Sequence, residues 1–374
     1  MTYENVNRSA SETSPLIHHI DFRPAFWLRS PHAQTMLGSY PTRHAAARWR
    51  ASELLSIARE VTITTADGTR LQAWLSMRGA DAPRGNTRPL IIILHGWLGG
   101  HDATYVLSAA GALWAAGFDI ARLNLRDHGG TDHWNADMFH SARIDEVVTA
   151  VTQLIDQHGG NAAGVLGYSL GGNFALRIAL AASHQRVAVG TALAISPLID
   201  PANSMTQLDR GSIIYRQYFM NKWHAALDAK AAAFPGHYDF SPCYGMRGVA
   251  ALTDYFVLRH TEFATPRDYF RRYTLTGDFL SDLSIPTSIL IAQDDPVIPF
   301  DDFARINPNS HLNIAATRHG GHCSFIEDLR GACFADRFIV AHFAQHFSHA
   351  RQRTSLSNND EVARRENGAI SSRH

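Results

Sequence analysis

Hydrophobic and polar positions change period several times along this chain, and each change marks an element. Val61-Thr-Ile-Thr-Thr65 and Leu71-Gln-Ala-Trp-Leu-Ser-Met77 alternate either side of the turn Ala66-Asp67-Gly68. Period two around Asp-Gly predicts a β-hairpin. Pro89-Leu-Ile-Ile-Ile-Leu-His95 is instead continuously apolar, as a strand covered on both faces of a parallel sheet must be. Helical patterns at Tyr105–Ala116, Ala142–Gln157 and Leu170–Ala182 then alternate with apolar strands at Asp119–Leu125, Ala162–Tyr168 and Ala188–Ile195. Such alternation predicts a mostly parallel sheet with right-handed crossovers and helices on both faces.

The alternation stops near residue 200. Ile213-Ile-Tyr-Arg-Gln-Tyr-Phe-Met-Asn-Lys-Trp223 and Asp268-Tyr-Phe-Arg-Arg-Tyr273 read as aromatic-rich helical pieces, broken by Pro235, Pro242 and Pro266. An insertion of this kind between strands predicts a cap over a site. Strands return at Pro286–Ala292 and His311–Ala315, and a helix over Cys333–Phe347 closes the series. Upstream, residues 22–37 are apolar and aromatic, but Pro24 and Pro31 exclude one long helix. This stretch reads as an arm packed on the core, with a patch touching lipid as the other reading. The predicted organisation is an N-terminal arm at 1–45, its first 17 or so residues loose, core at 46–200 and 283–348, a helical cap at 201–282, and a disordered polar tail at 349–374.

Composition narrows the function classes. The 374 residues carry 34 basic and 34 acidic side chains, so no net charge draws the chain to nucleic acid. Three cysteines, Cys243, Cys323 and Cys333, are too few for a disulfide framework and suit a reducing compartment. No apolar run reaches the roughly 18 residues that span a bilayer, and the first residues lack a signal-peptide pattern. The expectation is a cytoplasmic protein with no integral membrane segment.

The chemistry concentrates at Gly167-Tyr-Ser-Leu-Gly171, a G-x-S-x-G pattern between an apolar strand and an Ala-rich helix. A serine at such a strand-to-helix turn is held in a strained backbone with its hydroxyl projecting. The flanking glycines let strand and helix close up. A serine hydroxyl attacks only when a base takes its proton and a third group orients that base. The acid is expected after the strand ending at Ala292, in Gln293-Asp-Asp-Pro-Val-Ile-Pro299; Asp295 is preferred and Asp294 is the alternative. The base is expected in Arg318-His-Gly-Gly-His-Cys-Ser-Phe325, where His322 follows two glycines and His319 sits toward the rim. Cys323, beside the base, has no elbow of its own and reads as a packed bystander. An oxyanion needs two backbone donors. The Leu170 amide is one, and the Trp97 amide in His95-Gly-Trp-Leu-Gly-Gly100 is the candidate for the other.

These residues resemble the α/β-hydrolase superfamily, and within it the YheT-like branch. The narrower likeness rests on Ser30-Pro-His-Ala-Gln-Thr35, His95–Gly100, Gly167-Tyr-Ser-Leu-Gly-Gly-Asn173, Asp294-Asp-Pro296 and Gly320-Gly-His322, and spans roughly residues 22 to 348. It implies an eight-stranded, mostly parallel sheet with a helical cap, the triad Ser169, Asp295 and His322, and hydrolysis of carboxylic or lipid esters through an acyl-enzyme. No cofactor or metal is implied. The implied partner is a small ester with an apolar acyl chain, peripheral lipid contact being an additional reading. One departure is Asn124-Leu-Arg-Asp-His-Gly-Gly130, where Asp127 replaces a glycine usual in the branch. An acyltransferase on the same triad is the rival activity; His140 to Asp145 fits the His-x-x-x-x-Asp pattern that some relatives carry. A binding protein that keeps only the fold is the second rival.

Overall fold

The computed structural model describes residues 17–79, 88–160, 162–328 and 331–348. The expected loose N-terminus before residue 17 and the tail at 349–374 lie outside these residues. In chain order the elements are β1 (Ile17–His19), α1 (Pro31–Gly38), α2 (Pro41–Arg50), α3 (Ser52–Ser56), β2 (Arg59–Thr64), β3 (Arg70–Ser76), β4 (Leu90–Leu94), α4 (Thr104–Ala115), β5 (Asp119–Leu123), α5 (Ile144–His158), β6 (Ala163–Tyr168), α6 (Leu170–Ser183) and β7 (Thr191–Ile195). Then follow α7 (Pro201–Arg210), α8 (Ile213–Ala233), α9 (Val249–His260), α10 (Pro266–Arg271), β8 (Thr287–Ala292), β9 (Leu312–Thr317) and a closing helix α11 at 334–348.

The strands form one sheet in the order β1-β9-β8-β7-β6-β4-β5-β3-β2. The hairpin β2–β3 is antiparallel, β3 joins β5 antiparallel, and the remaining pairs are parallel. Strand β4 shows why its sequence is apolar at every position. Leu90, Ile92 and Leu94 pack on one face with Val151 and Leu154 of α5 and Ile178 of α6. Ile91 and Ile93 pack on the other with Val106 and Leu113 of α4 and Phe343 of α11. Each such fully buried side chain contributes about 1.5–3 kcal/mol relative to exposure.

The sheet has nine strands among the described residues, not the expected eight. The extra one, β1, pairs parallel with β9 through Ile17↔Ile314 and His19↔Ala316. Its sequence, Ile-His-His, has no apolar alternation and its histidines are exposed. It is a short edge strand held by backbone pairing, which hydrophobic patterning does not report. The prolines also act differently from simple breakers: Pro31, Pro41, Pro201 and Pro266 each open a helix, where the missing N–H costs nothing.

Candidate active site

Loops after the carboxyl ends of β4, β6, β8 and β9 meet at one edge of the sheet, the end where parallel α/β sheets place ligands. Ser169 sits between β6 and α6 with φ 52° and ψ −117°. The close approach there requires glycine on both sides: a Cβ on Gly167 would lie 2.0 Å from the Gly171 carbonyl oxygen, and one on Gly171 2.4 Å from that of His95. Seven non-glycine residues among those described have positive φ. All but Gln185 belong to loops at this edge: Leu98, Asp127, Ser169, Ser196, Cys323 and Phe325. Strain of this kind persists only where the surroundings hold it.

Ser169, His322 and Asp295 come together. Ser169 Oγ donates to His322 Nε2 at 3.1 Å, and His322 Nδ1 donates to Asp295 Oδ2 at 2.9 Å. The other Asp295 oxygen accepts the Val297 and Ile298 amides at 2.8 and 3.0 Å, so the carboxylate cannot turn. Burial alone would push the His322 pKa down, but the adjacent Asp295 carboxylate, with Cys323 adding to it, outweighs burial and holds the imidazole well above its ordinary value. The alternative acid does a different job. Asp294 accepts the Gly321 amide at 3.0 Å and lies 3.3 Å from His319 Nδ1, bracing the histidine loop from outside. Cys323 is buried with its sulfur 3.8 Å from the Ile195 carbonyl oxygen and 3.7 Å from His322 Nε2.

The two expected backbone donors belong to the start of α6 and to the loop after β4. Leu170 is the first residue of α6, whose opening amides have no intrahelical acceptor. In the β4 loop a Cβ on Gly96 would stand 3.2 Å from Ser169 Cβ. The Gly96 amide is taken by the Tyr105 hydroxyl at 2.9 Å and the Leu98 amide by His128 Nε2 at 3.1 Å. These bonds hold the residues on either side of Trp97. His128 and its bond to Leu98 were not singled out by the sequence, because the loop that carries His128 meets this one only in three dimensions.

A second contribution also escaped the sequence reading, although its motif was visible. Gln34 is fully buried; its amide donates to the Leu28 and Ile326 carbonyls at 2.9 Å, and its oxygen accepts the Ile326 amide at 2.7 Å. Thr35 Oγ1 accepts the amide of His322 itself at 2.9 Å. Ser30–Thr35 thus clamps the histidine loop from almost 300 residues away in sequence. Gln34→Leu should therefore strand buried groups at a cost of about 1–3 kcal/mol each, lowering the denaturant midpoint together with any turnover. An unchanged midpoint would show that these bonds do not hold the loop.

Asp127 explains its own departure from glycine. It has φ 58°, a conformation Asp tolerates better than most residues. One oxygen accepts the Phe139 amide at 2.8 Å and the other pairs with Lys230 of α8 at 2.9 Å. Lys230 is 1% exposed and also reaches the carbonyls of Asp132 and Asn135. Burial pushes the Asp127 pKa up to about 6, with Lys230 opposing. His140 and Asp145 do not meet: His140 faces Glu262, while exposed Asp145 pairs with Arg186 at 2.6 Å.

A cavity of about 710 Å³ contains Ser169 and His322 in its wall. Helix α8 supplies much of the apolar lining, with Phe219 stacked on Trp97 at 5.8 Å and Trp223 edge-on to it at 4.9 Å. No group of side chains among the described residues could hold a metal ion, and no helix there is long and apolar enough to cross a membrane.

A family model described as the alpha/beta hydrolase fold matches residues 89–233. The chain is similar to the putative esterase YheT of Escherichia coli (strain K12), 26% identical over 245 residues that cover 64% of this chain and 71% of YheT. Among solved structures, an esterase of Pyrococcus furiosus superposes with a TM-score of 0.51 at 16% identity, over 80% of this chain and 95% of its own. A 2,6-dihydroxy-pseudo-oxynicotine hydrolase superposes at 0.50 and 19% identity, over 83% and 76%. The structural likenesses speak for the fold alone.

Proposed function

We propose that this chain, an α/β-hydrolase of YheT-like sequence, is a serine esterase that cleaves carboxylic esters with an apolar acyl group. The observation that carries the reading is the unbroken chain Ser169 Oγ to His322 to Asp295. In this reading His322 takes the hydroxyl proton as Ser169 attacks the ester carbonyl, and Asp295 holds the imidazole in the tautomer that can accept it. The Leu170 and Trp97 amides receive the charge that builds on the carbonyl oxygen. His322 then protonates the leaving alcohol, and water, deprotonated by His322 in turn, releases the acid from Ser169. The name of YheT, a putative esterase, supports this class. Residues 201–282 act as a cap, since Phe219 and Trp223 close over Trp97, and the described part of the N-terminal arm, residues 17–45, steadies the base through Gln34 and Thr35.

The test is turnover of p-nitrophenyl esters of graded acyl length as a function of pH. His322 works as a base only when neutral, and its pKa is raised. Below that pKa the imidazole carries a proton and cannot take another, so kcat/KM should rise with pH, with a midpoint above the usual imidazole value of about 6.5. A flat profile between about pH 5 and 8 would remove His322 from the role.

A further inference from the structure

Two buried side chains in the wall of the Ser169 cavity carry polar atoms that nothing in the described protein satisfies. His140, in the loop before α5, is 2% exposed, and neither ring nitrogen makes a hydrogen bond. Its Nε2 lies 3.3 Å from the Glu262 carboxylate without the geometry of a hydrogen bond. Ser204 on α7 is 3% exposed, and its hydroxyl is likewise unpartnered. Both residues line the cavity. Arg43 lines it too, with Nε and Nη1 buried and unpartnered, but its guanidinium only donates and its charge acts on buried Asp336.

An unpaired buried polar atom destabilises the fold, and most such atoms in proteins find partners. In the wall of a ligand cavity, the missing partner is a group that arrives with the ligand. Burial first, and then Arg143, Arg126 and Arg177, hold the His140 pKa down near 3, against Asp137. The ring is therefore neutral, with one donor and one acceptor nitrogen. Phe263 and Tyr269 pack edge-on to it at 5.9 and 6.1 Å, which fixes its plane. A serine hydroxyl also both donates and accepts. The ligand group matching either residue is one that can do the same, a hydroxyl.

We propose that His140 and Ser204 are polar contacts, in an otherwise largely apolar cavity, for hydroxyl groups that the substrate carries away from its scissile ester. This rests on the serine-esterase reading and narrows its substrate class to hydroxylated esters, with the hydroxyl on either the acyl chain or the alcohol. His140, which the His-x-x-x-x-Asp pattern drew attention to for acyl transfer, becomes a residue that selects substrate.

Matched pairs of substrates test it. The acyl side is read with p-nitrophenyl alkanoates against hydroxyalkanoates of the same length, the hydroxyl moved along the chain. The alcohol side is read with propyl against glyceryl esters of one acid. The hydroxylated member of at least one pair should be preferred on the order of ten- to a hundred-fold in kcat/KM. That ratio should fall close to one in His140→Phe, which keeps a ring of similar volume between Phe263 and Tyr269, and should fall partway in Ser204→Ala. A purely structural role would change absolute rates without changing the ratio. Equal kcat/KM within every pair would overturn the proposal, as would a preference that survives both substitutions. Calorimetric binding of the free hydroxy acid, the plain acid, glycerol and propanol reads the same contacts without turnover. A total lack of turnover would thus sink the esterase reading, while equal binding of each hydroxylated compound and its plain counterpart would sink this one.

Discussion

Ser169→Ala should abolish covalent labelling by a fluorophosphonate probe and reduce p-nitrophenyl ester turnover on the order of 10⁶-fold, with the protein still folded. The substitution removes one oxygen and one hydrogen bond, that to His322 Nε2. It leaves the bonds that shape the turn, in which the Ser169 amide donates to the Ile195 carbonyl and its own carbonyl accepts from Asn173 and Leu198. The circular dichroism spectrum and melting temperature should therefore stay close to those of the parent. The strained φ is no harder for alanine than for serine, since both carry a Cβ. Labelling that persists in the variant would move the nucleophile elsewhere and end the assignment. Loss of labelling together with loss of structure would be read instead from Ser169→Cys, in which a thiol keeps the volume and should react with a thiol-directed probe.

How much of this was legible in the sequence depends on how local each interaction is. The β4 run announces a doubly covered strand because both faces of that strand are buried by contacts it must make wherever the helices sit. The elbow is readable for the same reason: Gly167 and Gly171 are demanded by atoms within the turn or next to it. The order of donor loop, serine, acid and base follows from the order of the strands. Contacts between distant segments are another matter. Ile17–His19 joins the sheet through backbone groups that every residue has, so its identity as a strand leaves no side-chain signature. The sequence shows Gln34 and Thr35 only as a motif, and nothing local says that they meet Ile326 and His322. Lys230 gives no hint from its Ala-rich helix that it neutralises Asp127. In each case the information lies in a pairing rather than in a pattern.

Asp295, preferred as the acid from sequence, and its neighbour Asp294 are one residue apart, yet their geometries predict different losses. Asp295→Asn should lower kcat about 10⁴-fold. The Val297 and Ile298 amides both donate to Oδ1, so the asparagine must place its carbonyl oxygen there and turn its NH₂ toward His322. Two donors cannot share the Nδ1 contact; the imidazole is driven to carry its proton on Nε2, where it can no longer accept from Ser169. The same substitution deletes the larger of the two influences that raise the His322 pKa, Cys323 being the other, so burial weighs more and the midpoint of the residual pH profile should move to lower pH. Asp294→Asn retains an oxygen for the Gly321 amide and touches neither His322 nor Ser169. Exchanging a charge-assisted bond for a neutral one there should cost no more than about tenfold, near 1.4 kcal/mol, with the midpoint unmoved. Equal losses in the two variants, or a midpoint that shifts only in Asp294→Asn, would reverse the assignment. The deciding quantity is which carboxylate sets the proton affinity of His322, and that is read from the pH profile rather than from the rate alone.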